Sequence, residues 1–149
     1  MKKFSLYRSI KVPNPLHEVF NFFSKAENLQ KLTPPWVHFE ILSPLPIRME
    51  AGRVIDYRIK LRILPMTWKS EITLWEPPHR FVDEQLKGPY RRWVHEHRFQ
   101  ESDGATLIED DVSYAVWGGS LVQKLFVRSE LEKIFNYRYE VIESLFGKI

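Results

Sequence analysis

The hydrophobic period of this chain turns from strand-like to helical near its C-terminal end, and that change limits what it can fold into. Through Arg53–Leu61, Trp68–Leu74, Phe81–Lys87, Trp93–Phe99 and Thr106–Tyr114, inward and outward residues alternate with a period of two, as in strands that bury one face. After Gly118-Gly119 the spacing becomes helical. Leu121, Val122, Leu125, Phe126, Leu131, Ile134, Phe135, Val141, Ile142 and Leu145 mark a helix of about seven turns with a broad apolar side. Such a helix must cover something, and a strongly curved antiparallel sheet wrapped around it buries both surfaces. A cavity is expected wherever sheet and helix diverge. The fold class is therefore α+β.

The N-terminal third fits the same plan. Leu6, Arg8, Ile10 and Val12 share one parity in a first strand that ends before Pro13. Pro15 can begin a helix after an Asn14 cap, with Val19, Phe20 and Phe23 on its apolar side. A second short helix spans Glu27 to Leu32 and stops before Thr33-Pro34-Pro35, after which Val37, Phe39 and Ile41 begin another strand. Pro44 and Pro46 suit an irregular connection, and Glu76-Pro77-Pro78-His79 interrupts the meander before Phe81.

With 149 residues, a single domain over 1–149 is expected, large enough to bury its core without disulfides or a structural metal. The 44% hydrophobic and 28% charged fractions suit a soluble protein, and no apolar run approaches the roughly 20 residues that span a bilayer. Stable membrane insertion is not expected. Met1 to Val12 alternates too regularly for a secretory signal, so a cytoplasmic location is expected. With no cysteine, thiol catalysis and thiolate metal sites are excluded. The net charge of +3 is spread among acids, as where Glu130, Glu132, Glu140 and Glu143 punctuate the last helix, so no nucleic-acid stripe is visible. Oligomeric state and any protein partner stay open.

Function is best sought on the hairpins between Phe81 and Tyr114. If Asp103-Gly104 is a two-residue turn, Phe99 lies opposite Ile108, His97 opposite Asp110, His95 opposite Val112 and Trp93 opposite Tyr114. One face then carries aromatic and polar groups, while Val94, Glu96 and Arg98 point away. For the preceding strand two parities stand open. A three-residue connection at Gly88-Pro89-Tyr90 pairs Asp83 with His95 and Gln85 with Trp93; a two-residue connection turns Val82, Glu84 and Leu86 inward instead. The first is preferred.

His97 opposite Asp110 admits three readings: a polar anchor for a ligand, a structural network that satisfies buried groups, or a general acid and base in catalysis. Ligand recognition leads. Trp36, Tyr57, Trp68, Trp93, Tyr114 and Phe126 are distributed so that they can wall an apolar ligand, although each alone is also an ordinary packing residue. His95 and His97 share a strand face without the further convergent donors of a zinc site, so no metal is expected. Ser113 alternates away from Asp110, no serine occupies a nucleophile elbow, and Gly118-Gly119 lacks the flanks of a nucleotide loop. No cofactor is expected.

The order of elements, together with LTPPWVHFEI at 32–41, WKSEITLWEPPHRFVDEQLKGPYRRWVHEHRF at 68–99, DDVSYAVWGG at 110–119 and IFNYR at 134–138, resembles the START-related superfamily. That group is also described as birch-pollen-allergen-like or polyketide-cyclase/dehydrase-like, and the segments look like a bacterial ligand-binding branch of it. The resemblance spans nearly the whole chain. It implies a helix-grip fold with a cavity beneath the long helix, and a small hydrophobic or amphipathic ligand such as a lipid, a quinone or an aromatic, polyketide-like molecule. It makes Trp68, Asp83, Trp93, His95, His97, Asp110 and Tyr114 the first positions to inspect. Related scaffolds also catalyse cyclisation or dehydration, or assist other proteins, so a cyclase, dehydratase or hydrolase using His97 and Asp110 and a chaperone-cofactor role are the alternatives.

Overall fold

The computed structural model describes residues 1–61 and 63–149. Strand β1 (Phe4–Val12) leads into helix α1 (Leu16–Phe23), a 3₁₀ turn (Ala26–Asn28) continuous with helix α2 (Leu29–Leu32), and a second 3₁₀ turn (Pro35–Val37). Strands β2 (Glu40–Ile41), β3 (Val54–Leu61), β4 (Leu64–Glu76), β5 (Arg80–Lys87), β6 (Arg92–Ser102) and β7 (Ala105–Ala115) follow. The chain closes with α3 (Gly119–Val122), a π-helical turn (Gln123–Val127) and α4 (Arg128–Phe146). The strands form one antiparallel sheet in the order β1-β7-β6-β5-β4-β3-β2, and β7 returns to pair with β1. This is the α+β arrangement of a curved sheet around a long C-terminal helix, with two short helices after the first strand.

The β6–β7 register follows from its turn. Asp103 and Gly104 both adopt positive φ, 52° and 80°, the geometry whose twist suits a two-residue hairpin and which Asp-Gly tolerates. Ser102 pairs with Ala105, and the ladder continues through Phe99↔Ile108, His97↔Asp110, His95↔Val112 and Trp93↔Tyr114. Along β6, Trp93, His95, His97 and Phe99 are buried while the residues between them are partly exposed. On the outer face Arg98 meets Glu96 at 2.9 Å and Asp111 at 3.3 Å.

Several local expectations are corrected. Pro15, not Asn14, occupies the N-cap of α1, in an extended conformation, and the Asn14 amide instead donates to Glu18 Oε1 at 3.1 Å. The strand expected from Val37 shrinks to Glu40–Ile41, because Pro34-Pro35 starts a 3₁₀ turn that ends with His38 at φ 50°. On the last helix Leu121, Leu125, Phe126 and Leu145 are exposed; between Gly119 and Val127 only Gln123 is buried. The wider π turn shifts the residues before it off the face that a uniform 3.6-residue period assigns. From α4, Leu131, Phe135, Arg138 and Ile142 are the buried positions.

Three groups of packed side chains surround the interior. One joins Ile10, Val12, Phe20, Phe23, Phe99 and Ile142, tying β1 and α1 to the end of α4. A second joins Leu6, Trp93, Val112, Tyr114, Leu131 and Phe135, and a third holds Ala26, Ile55 and Tyr57. Between them sheet and helix part.

Candidate functional site

A cavity of about 210 Å³ occupies that gap. Its sheet wall includes Tyr57, Trp68, Phe81 and Trp93, its helix wall Leu131, Ile134, Phe135 and Arg138, and its remaining side Ala26, Leu29 and Leu32. The walls are mainly apolar, and the volume lies below the roughly 300–1,000 Å³ of pockets for drug-sized molecules, so it suits a small ligand.

Apart from Lys25, Asn28, Thr33 and Ser70 elsewhere in the lining, a cluster of ionisable groups gathers where β5, β6 and α4 meet. The β5–β6 ladder pairs Asp83 with His95, the preferred parity, which turns Asp83 inward. Phe81, His97 and His95 form a stack, with ring centroids 4.1 Å and 3.7 Å apart and interplanar angles of 13° and 21°. His97 Nε2 lies 2.7 Å from Asp83 Oδ2, and His95 Nε2 lies 2.7 Å from Asp110 Oδ1. His97 Nδ1 is 3.4 Å from Asp110 Oδ1 and is buried without a hydrogen-bond partner.

The expected His97–Asp110 pair is thus corrected in its contacts though not in its register. The two residues sit opposite each other in the ladder, but each histidine's short contact goes to a different acid. The reason lies on the helix. Arg138 donates from Nε to Asp110 Oδ2 at 3.0 Å and from Nη2 to Oδ1 at 3.1 Å, while Tyr139 Oη lies 2.7 Å from Oδ2. With His95 also on Oδ1, the acceptor capacity of Asp110 is largely committed before His97 is considered.

Burial and charge then set the protonation states. Burial, reinforced by the neighbouring His97, holds the His95 pKa below its ordinary value against the pull of Asp110. Burial pushes His97 down to about 3, although Asp110 favours its charged form. Burial acts to raise Asp110, but the Arg138 charge and the bond from His95 outweigh it and keep this acid well below the usual carboxylate range. Asp83 goes the other way: burial raises it, with only partial compensation from the charges of His95 and Arg138. Burial also raises the Tyr57 phenol, helped by the Asp83 charge.

Of the residues singled out in the sequence, Tyr57, Trp68, Asp83, Trp93, His95 and His97 line the cavity. Asp110 lies one layer behind it, fully buried, where it organises His95 and Arg138. Tyr114 is also behind the lining, and its hydroxyl accepts from Gln123 Nε2 at 2.7 Å. Trp36 lies outside: it is 46% exposed, packs on Tyr137 and donates from its indole to Glu130. Phe126 is 55% exposed on the π turn, off the cavity wall. Gln85, expected in the lining, instead clamps the β5–β6 turn, with Nε2 donating to the Tyr90 carbonyl at 2.8 Å and Oε1 accepting from its N–H at 3.1 Å.

Sequence reasoning missed Arg138, Tyr139 and the lining residue Tyr90. Arg138 did carry a signal, since it occupies a core-facing position in the stripe Leu131, Phe135, Ile142, where an unpaired cation is rarely tolerated. Asp83, His95 and His97 offer three potential metal donors within 4.8 Å of one another. The two imidazoles are nearly parallel, so their in-plane lone pairs do not converge on one point, and each Nε2 already faces a carboxylate. The arrangement is that of a polar network.

A curved sheet gripping a helix over an apolar-walled cavity with a polar floor defines a START-related, birch-pollen-allergen-like helix-grip protein. The chain belongs to the family described as polyketide cyclase/dehydrase and lipid transport, whose model matches residues 12–137. Solved structures agree in fold. Protein CV1439 from Chromobacterium violaceum superposes with a TM-score of 0.70 at 9% identity, covering 100% of both chains. Protein Ms6760 from Mycobacterium smegmatis gives 0.68 at 15% identity, over 95% of this chain and 89% of that one. A point mutant of norcoclaurine synthase from Thalictrum flavum, in complex with a transition-state analogue, gives 0.66 at 15% identity over 96% of each chain. No curated protein sequence matches significantly. Family and fold support a cavity for a hydrophobic ligand, and among the described residues no helix is long and apolar enough to cross a membrane.

Proposed function

We propose that this protein binds and carries a small, predominantly hydrophobic molecule in the cavity between sheet and C-terminal helix, within a bacterial ligand-binding branch of its superfamily. A lipid fragment, a quinone or an aromatic, polyketide-like compound fits the reading, and the cytoplasm is the compartment proposed for it. The observation that carries it is the contrast between the walls, built from residues such as Trp68, Leu131 and Phe135, and the buried ionisable cluster at Asp83, His95 and His97. Apolar walls supply the affinity, and a few placed polar groups supply orientation. The test is native mass spectrometry of the freshly purified protein with identification of any retained molecule, followed by titration of that molecule into Ile134→Trp. Filling the cavity is expected to abolish binding; binding unchanged in this variant overturns the proposal.

A second reading is favoured by one observation, the short Asp83–His97 contact beside a His97 Nδ1 that has no hydrogen-bond partner. Burial raises the acid and lowers the imidazole, so one proton is readily shared between them at the cavity surface. This supports proton-transfer catalysis of cyclisation or dehydration, with Asp83 rather than Asp110 as the acid partner of His97. Turnover of an identified ligand that survives both Asp83→Asn and His97→Phe defeats it.

A further inference from the structure

When Asp83 is ionised, the charges at the cavity floor do not balance. Arg138 and Asp110 neutralise each other through two parallel hydrogen bonds, closed off by Tyr139. His95 and His97 sit face to face with ring centroids 3.7 Å apart, an arrangement that disfavours charge on both. Asp83 remains. One of its oxygens meets His97, its side chain is 22% exposed within the cavity lining, and no lysine or arginine among the described residues lies within ion-pair distance of it. The electron-rich rings of Tyr57, Trp68 and Trp93 line the same cavity.

We propose that the ligand is a small hydrophobic amine bound as its monocation, with the ammonium against Asp83 and the apolar body against Tyr57, Trp68 and Trp93. This rests on the cavity being a ligand site and specifies what enters it. A bound ammonium supplies the counter-charge that the acid lacks, and aromatic faces favour a cation in the same desolvated space. An anion gains little here. The guanidinium of Arg138 is paired with Asp110 through Nε and Nη2, and an incoming carboxylate meets the like charge of Asp83 in the lining. Lys25 at the rim is exposed, so water screens its repulsion of the amine.

Proton uptake and release follow from the groups facing Asp83: His95 and His97 on β6, Asp110 on β7, Arg138 on α4 and Tyr57 on β3. Burial raises the pKa of Asp83, so this acid takes up a proton at higher pH than an ordinary carboxylate. An arriving ammonium displaces that proton, so amine binding releases protons, and it weakens as the pH falls because the proton competes.

The test uses three probes with one carbon skeleton, 3-phenylpropylamine, 3-phenylpropan-1-ol and 3-phenylpropionate, titrated calorimetrically into the purified protein and into Asp83→Asn. The amine is expected to bind at least about tenfold more tightly than the other two, the low end for desolvated charge pairs. Asp83→Asn is expected to erase that preference while alcohol binding persists. Because Asp83→Asn also disturbs His97, wild-type titrations in buffers of different ionisation heat give an independent reading. Proton release is expected with the amine alone, growing as the pH is lowered from about 8 to about 5. Alcohol binding as tight as amine binding, or absence of proton release, overturns the amine while leaving the ligand site standing. Tighter binding of the carboxylate overturns it too. If none of the probes binds, the amine inference falls, and unaltered binding of the native ligand in the cavity-filled Ile134→Trp is the separate result that removes the ligand site.

Discussion

Asp110→Asn tests the buried network at its centre. Asp110 is fully buried and accepts from Arg138 Nε and Nη2, from Tyr139 and from His95. An asparagine keeps one acceptor oxygen and turns an NH₂ toward donors that had been satisfied. Arg138, 5% exposed, loses its counter-charge in the same step. Removing one member of a buried ion pair costs about 3–5 kcal/mol. Against a total of roughly 5–15 kcal/mol for a domain, that is a large share. At about 2–4 °C per kcal/mol for a chain near this size, it corresponds to a fall in Tm of about 6–20 °C. The assay is urea unfolding followed by tryptophan fluorescence, with the m-value checked for constancy. Arg138→Met and the double variant complete a cycle. Once both charges are gone no uncompensated ion remains, so the double variant is expected to lose less than the sum of the singles by about 1–3 kcal/mol. Additive losses, or a loss below about 1 kcal/mol for Asp110→Asn, refute the reasoning.

Other outcomes follow from the same contacts. Because His95 and His97 are held neutral when folded, the unfolded chain binds more protons below its ordinary histidine value of about 6.5. Stability should therefore fall as the pH drops below that point, by up to about 1.4 kcal/mol per pH unit for each histidine; for His97 the decline extends to its folded value of about 3. The raised Asp83 contributes in the opposite sense, favouring the folded state at low pH and losing that advantage as the pH rises through its folded value, while the contribution of Asp110 is lost progressively as the pH falls from the ordinary carboxylate range through its own depressed value. Unfolding curves that coincide between about pH 7 and about pH 5 contradict this linkage. Thr106→Val removes the hydroxyl that donates to the Asn14 carbonyl at 2.8 Å, and is expected to cost about 1–3 kcal/mol by denaturant midpoint, with no loss as the contrary result. Gly88→Ala brings a Cβ within 2.5 Å of Gln85 Oε1, which the turn holds in place. A destabilisation of about 1–3 kcal/mol is expected, and Gln85→Ala in that background should recover part of it; equal stability of Gly88→Ala and the wild type argues against the clamp.

Much of the fold was legible because its signals are local. Two-residue alternation, helical spacing after Gly118-Gly119 and the Asp-Gly turn each depend on near neighbours, and the turn alone places Trp93, His95, His97 and Phe99 on one buried face. The terminus of β5 was less determined, since either loop length at Gly88-Pro89-Tyr90 is chemically acceptable. Asp83 turns inward because the observed ladder sets it opposite His95, with the Gln85 clamp on Tyr90 fixing the turn.

Tertiary structure decided the rest of the site. Which acid each histidine meets depends on Arg138 and Tyr139, which lie 28 and 29 residues beyond Asp110 and reach it only when α4 docks. The π turn removes Phe126 from the wall, and Trp36 packs on the outside of the helix rather than in the cavity. By itself, the sequence determined that a curved sheet would grip a long helix and that its Trp93–Phe99 face would be aromatic and polar. The pairing of charges and the cavity's volume came from the packing of α4 against the sheet, because long-range contacts between elements leave no periodic trace in either element alone.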